Sequence, residues 1–220
     1  MKKGDKSVFK KKKIKKYTKM VQQSGQSICS EQIRMISTYI EHLYDSESPL
    51  LMVTSPSEEG QKSIISSKLA IAFVEQGKKV LLVDANIRSP SLHHWFQMKN
   101  ENGFTNAVRY AESIHLNSKE TLIPNLFVMP AGPVPSNPSE IWVASKIKDM
   151  ASCCRTEYDV VIFEAPPILS ASDSQVLASY CDGTILVLKE NKTKKDDAFK
   201  AKMKLERKNS KILGVIYQTG

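Results

Sequence analysis

The sequence predicts an α/β fold in which a parallel sheet is covered by helices on both faces. Three observations carry that expectation. Short runs, apolar throughout, recur at 50–54, 80–84, 126–129, 160–163, 184–188 and 212–217. They are too short for helices and lack the alternation of a half-exposed strand, so they read as strands buried on both sides. Helical periodicity separates most of them, as the crossovers of a parallel sheet require. Polar and charged residues gather just after several runs, where open sheets of this kind place their ligand loops.

Taken in order, the first helix is expected over 30–45, with Ser30 at its cap and Ile33, Ile36, Ile40 and Leu43 as its apolar stripe. A turn at 46–49 leads to the first strand. The next helix, 62–76, turns Leu69, Ala70, Phe73 and Val74 inward and stops at Gly77. After the strand 80–84, Asn102-Gly103 breaks the chain before a short helix at 104–110. The strand 126–129 runs into a proline-rich loop, AGPVPSNPSE, which launches a helix over 139–154 with Ser139 near the cap. Then come a strand at 160–163, a helix at 172–180, a strand at 184–188 and a polar amphipathic helix at 194–208. The last strand, 212–217, is expected in the core, with Tyr217 buried.

The length of 220 residues and a hydrophobic content of 41% suit one domain, 27–220, preceded by a basic arm, 1–26, expected to be disordered. No run of 18 apolar residues exists, and the basic start lacks the apolar stretch of a signal peptide. Cys29, Cys153, Cys154 and Cys181 show no metal-ligand spacing and read as buried or idle thiols in a reducing cytosol. Of 32 Lys and Arg and 23 Asp and Glu, residues 1–19 hold ten Lys and one Asp, so 22 of each sign remain. The arm is basic and the body neutral. That argues against a nucleic-acid-binding face on the domain, and no nucleic acid is expected. For the arm, an anionic membrane surface and a solvated tail both stay open.

Four strand ends carry candidate chemistry. The stretch LLMVTSPSEEGQKSIISSKLA joins a strand to a helix through a loop ending in Lys62-Ser63. A P-loop cradles nucleotide phosphates at such a place, but the GxxxxGK[ST] spacing is missing because Gln61 stands where Gly belongs. Asp84 ends the strand 80–84, with Arg88 after it. A carboxylate there suits Mg²⁺, which takes one or two carboxylates plus phosphate oxygens. Glu164 ends DVVIFE and could orient a metal-bound water, and Gln218 ends the last strand, where it could meet a base edge. Each alone also fits a helix cap or a salt bridge. His93 and His94 read as surface histidines.

Together, in this order, these features resemble the bacterial tyrosine kinases of capsule and exopolysaccharide operons, P-loop ATPases of the MinD/ParA type. The resemblance spans residues 30–220 and rests on SEQIRMIS, TSPSEEGQKS, QGKKVLLVDANIRSPSLHHWF, GPVPSNPSEI, YDVVIFEAPPILSASDSQVL, DGTILVL and LGVIYQ. It implies ATP and Mg²⁺ as ligands. Gly60, Gln61, Lys62, Ser63, Ile64 and Gln218 are implied nucleotide contacts, with Lys62 as the phosphate lysine. Ser63, Asp84 and Glu164 are implied to hold the cation. Asp84, Lys62 and Arg88 are implied catalytic residues. Glu31 and Arg34 match the start of an ExxRxxR motif with which relatives pack into rings. A membrane activator protein of the polysaccharide co-polymerase type is the implied partner, placing the chain in the cytoplasm at the inner face of the membrane.

The chain also departs from that pattern. Gln61 and Glu59 replace loop glycines, and Gly60 stands where relatives carry the loop's acid. A side chain in place of Gly costs steric room where backbone must approach phosphate. Asn86 replaces the second acid of DxDxR, and Glu164 replaces an Asp. Gln218 stands for an adenine-contacting Asn, and Ser37 for the second Arg of the ring motif, which leaves the homo- or hetero-oligomeric state open. A register placing Gly60 at the last loop glycine would need an insertion in the next helix, so the ungapped alignment is kept. The tyrosine-rich tail of relatives has no counterpart before Gly220. A family protein with weak or lost phosphoryl transfer is expected, the alternative being an active ATP-dependent protein-tyrosine kinase. A partitioning-type ATPase is disfavoured by the neutral body and the GPVPSNPSE loop.

Overall fold

The computed structural model describes residues 28–44, 47–58, 61–110, 114–207 and 210–219. The expected arm, 1–26, and the loop residues Glu59 and Gly60 lie outside them. Helix α1 (Ile28–Leu43) starts ahead of Ser30, which therefore sits inside the helix rather than at its cap. Strand β1 (Leu50–Thr54), helix α2 (Lys62–Glu75) and strand β2 (Val80–Asp84) follow where their apolar patterns place them. Three short elements then come: α3 (Leu92–Trp95), α4 (Phe104–Tyr110) and α5 (Ile114–Asn117). Strands β3 (Lys119–Glu120) and β4 (Leu126–Met129) lead to the proline-rich loop. Helix α6 (Ala144–Glu157), β5 (Val160–Glu164), α7 (Asp173–Ala178), β6 (Gly183–Lys189), α8 (Lys195–Glu206) and β7 (Ile212–Gln218) complete the order.

The strands form one sheet in the order β3-β4-β2-β5-β1-β6-β7, parallel except for the two-residue β3 at one edge. Successive strand side chains point to opposite faces, and both faces are covered. Leu51, Val53, Val80 and Leu82 pack with Ile33 and Ile40 of α1 and Leu69 and Phe73 of α2. Leu50, Met52, Leu81 and Val83 pack with Phe104 of α4, Ile147 of α6 and Leu205 of α8. The amino end of β1 is pinned by Asp182, whose Oδ2 accepts from Leu50 N–H at 2.7 Å and whose Oδ1 accepts from Arg155 at 2.8 Å.

Two expectations need correction. The helix foreseen from Ser139 is broken. Asn137 and Pro138 start a single 3₁₀ turn, Pro138–Glu140, in which the Asn137 side chain accepts from Ser139 N–H. Ile141 then plunges into the core with no exposure, and α6 begins only after Val143, which is extended. The last strand is also not a core strand. It lies at the sheet edge, where Val215 is 53% exposed and Tyr217 58% exposed. An apolar run shows strand tendency but not position in the sheet.

Candidate active site

Strands β2, β5 and β1 are neighbours, and their carboxyl ends bring three distant segments together. Asp84 pairs in register with Glu164, and Glu164 with Val53, one residue before β1 ends. Helix α2 follows β1 in the chain, and its first residues are Lys62 and Ser63. The amino end of a 14-residue helix thus points its free N–H groups at the same spot, where they favour anions. Asp84, Glu164 and Lys62 are 0%, 2% and 3% exposed, a burial that ionisable groups rarely show unless paired.

The hydrogen bonds show how the group is held. Asp84 Oδ2 accepts from the backbone N–H of Ser91 at 2.8 Å and of Leu92 at 3.0 Å, and its Oδ1 accepts from Asn86 N–H at 3.2 Å. Asp84 therefore fastens the start of α3 under the end of β2. Ser63 Oγ donates to Glu164 Oε1 at 2.8 Å and lies 2.5 Å from Ser91 Oγ. Burial pushes the Asp84 carboxyl above its ordinary range despite those three N–H donors. Burial and then the Asp84 charge do the same to Glu164.

Among the described residues, two oxygens of this group are buried without a partner: Glu164 Oε2 and Asn86 Oδ1. An orphaned carboxylate oxygen beside a hydroxyl and a second carboxylate fits a divalent cation bound partly through phosphate and water. Among the described residues no group of three His, Cys, Asp or Glu side chains could hold a metal. Mg²⁺ at Ser63, Asp84 and Glu164 would supply charge neutralisation for phosphate oxygens.

The sequence-predicted residues divide into two halves. Lys62, Ser63, Asp84 and Glu164 form the buried polar half. Gln61, Ile64 and Gln218 line a cleft of about 440 Å³ between α1, α2 and the end of β7. The halves meet at the loop, where Gln61 N–H donates to Gln218 Oε1 at 3.3 Å. Arg88 joins neither, since its Nε engages Asp173 at the start of α7 at 3.0 Å. Gly60 lies outside the described residues. Glu58 adds a contact of its own: its carboxylate is 3.7 Å from Lys62 Nζ. Ser91 is the site residue that sequence reasoning missed. It lies within a family-specific phrase, yet a lone serine in a loop carries no signal until Asp84 is seen to hold its N–H.

Residues 49–218 match the model of the ParA family, described as an NUBPL iron-transfer P-loop NTPase. The chain is 39% identical over 191 residues to the tyrosine-protein kinase YwqD of Bacillus subtilis (strain 168), covering 86% of this chain and 81% of that protein. Among solved structures it is similar to the chimerical protein CapA2B2, with a TM-score of 0.81 and 29% identity over 87% of this chain and 85% of that one. The septum site-determining protein MinD of Pyrococcus horikoshii OT3, solved with Mg-ADP, shares the fold. Its TM-score is 0.66 at 20% identity, covering 77% of this chain and 70% of that one.

Proposed function

We propose, for a chain that belongs to the bacterial tyrosine kinases within the ParA-type P-loop NTPases, a regulatory part in capsular or exopolysaccharide synthesis with weak or lost phosphoryl transfer. The observation that carries this reading is the Lys62–Glu58 contact at 3.7 Å. The lysine that should meet phosphate is buried, and among the described loop residues the charge offered to it is the chain's own Glu58 carboxylate. Nucleotide must displace that carboxylate, pass the Gln61 side chain and settle beside two carboxyls that resist ionisation. Phosphoryl transfer depends almost wholly on positioning and charge neutralisation, so each change weakens it.

ATP with Mg²⁺ is the proposed ligand. The proposed partner is a membrane activator protein that recruits the chain to the cytoplasmic face, helped by the Lys-rich arm. Among the described residues no helix is long and apolar enough to cross a membrane. A second reading, an active ATP-dependent tyrosine kinase, is favoured by the surviving Ser63–Glu164 bond and its in-register neighbour Asp84. In that reading Asp84 accepts the tyrosine proton or holds the cation.

Restoring the family's residues separates the two. A variant carrying Glu59→Gly, Gln61→Gly, Asn86→Asp and Glu164→Asp is expected to form ADP at least about tenfold faster than wild type, with phosphotyrosine on a partner protein. Equal rates, with wild type already producing phosphotyrosine, would establish the active kinase instead.

A further inference from the structure

Ser63 Oγ has one proton to give and two lone pairs to offer. With Glu164 ionised, as a cation would hold it, that proton goes to Glu164 Oε1, at 2.8 Å. The 2.5 Å contact with Ser91 Oγ must then be made by the Ser91 proton, because no other hydrogen lies between the two oxygens. Ser91 Oγ also lies 3.5 Å from Glu164 Oε1, but a hydroxyl has a single proton, and the shorter contact takes it. The bonds therefore run in one direction, from Ser91 to Ser63 to Glu164.

We infer that Ser91 is a positioning residue of the cation site, whose hydroxyl donates to Ser63 Oγ and so occupies one lone pair of the oxygen through which Ser63 would meet a divalent cation. The inference rests on the reading of Ser63, Asp84 and Glu164 as that site. A cation and a hydroxyl proton compete for the electron density of one oxygen, so the Ser91 proton weakens Ser63 Oγ as a cation ligand until the Ser91 hydroxyl rotates away. The backbone around it cannot follow, since Ser91 N–H and Leu92 N–H are both fastened to Asp84 Oδ2. The switch is thus a rotation about one side-chain bond. Ser91 makes no side-chain cap to α3, so removing its hydroxyl leaves the helix start intact.

Mn²⁺ binding in saturating ADP, followed by electron paramagnetic resonance on wild type, Ser91→Ala and Ser91→Thr, tests this directly. Ser91→Ala is expected to bind Mn²⁺ about three- to tenfold more tightly, the value of one neutral hydrogen bond. Ser91→Thr keeps the hydroxyl and is expected to match wild type. ADP affinity without metal, by calorimetry, is expected to be the same in all three. Equal or weaker Mn²⁺ binding by Ser91→Ala, with wild type binding well, would overturn the role given to Ser91 and leave the cation site standing. Absence of Mn²⁺ binding in all three proteins would remove the cation site and the inference together.

Discussion

Ser63 Oγ donates to Glu164 Oε1 at 2.8 Å and ties the first turn of α2 to the end of β5, although the two residues are 101 positions apart. With Glu in place of Asp, the carboxylate reaches the hydroxyl and leaves Oε2 buried without a partner. The bond fits the proposed cation site, while burial around the two carboxyls discourages charge.

Glu58 is the simplest of those discouragements to remove. Its side chain is 57% exposed while that of Lys62 is 3% exposed, so the pair is screened from one side only. Glu58→Gln is expected to tighten ADP binding by about two- to fivefold, the value of a partly exposed ion pair, with the gain shrinking in high salt. Calorimetry at two ionic strengths checks it. An unchanged affinity at low salt would show that Glu58 does not compete with phosphate.

The buried carboxyls make metal-free stability depend on pH. Burial, reinforced by Asp84, holds the Glu164 carboxyl above its ordinary value of 4.5, so the folded protein keeps a proton that the unfolded chain has released. That contribution is present below the ordinary value and is lost as pH rises through the raised one. Metal-free wild type and Glu164→Gln are expected to melt together near about pH 5. By about pH 8 wild type is expected to melt several degrees lower. A gap that stays constant over that range would contradict the assignment.

Ser37 shows why restoring a motif is not restoring a function. It is fully buried, donates to Arg34 O at 2.9 Å and accepts from Gln76 Nε2 at 3.0 Å. Ser37→Arg, which completes the ExxRxxR pattern, would press a charged side chain into the α1–α2 contact. A loss of about 2–4 kcal/mol in urea unfolding is expected. A loss below about 0.5 kcal/mol would mean that the arginine reaches solvent.

For the arm, removing residues 1–19 is expected to weaken sedimentation with anionic vesicles at least about tenfold in low salt and little in high salt, because ten lysines then leave the chain. Unchanged binding would make the arm a passive tail.

The sheet was legible in the sequence because its strands are apolar on both faces. Runs such as Val80–Asp84 and Leu126–Met129 have a single sensible reading, and their bounds agree with the structure. Asp84 and Glu164 were legible because a carboxylate closing an apolar run is conspicuous. Other features depend on tertiary placement. Tyr217 sits in a run as apolar as those of the core, and only the sheet order makes β7 an exposed edge. Arg88 follows Asp84 closely, yet it turns to Asp173, 85 residues onward. Ser91 enters the site through its backbone N–H, a group that every residue but proline carries and that no sequence pattern marks. The two-residue β3 is too short for any periodicity.

The central claim is a nucleotide site kept in outline and weakened in chemistry, and calorimetric titration of ATP in the presence of Mg²⁺ on wild type and Lys62→Ala tests it most directly. The account predicts wild-type binding no tighter than about 0.1 mM, lost in Lys62→Ala, with no phosphotyrosine formed on a partner protein in the same mixture. Binding at about 1 μM or tighter, abolished by Lys62→Ala and accompanied by phosphotyrosine, would contradict it.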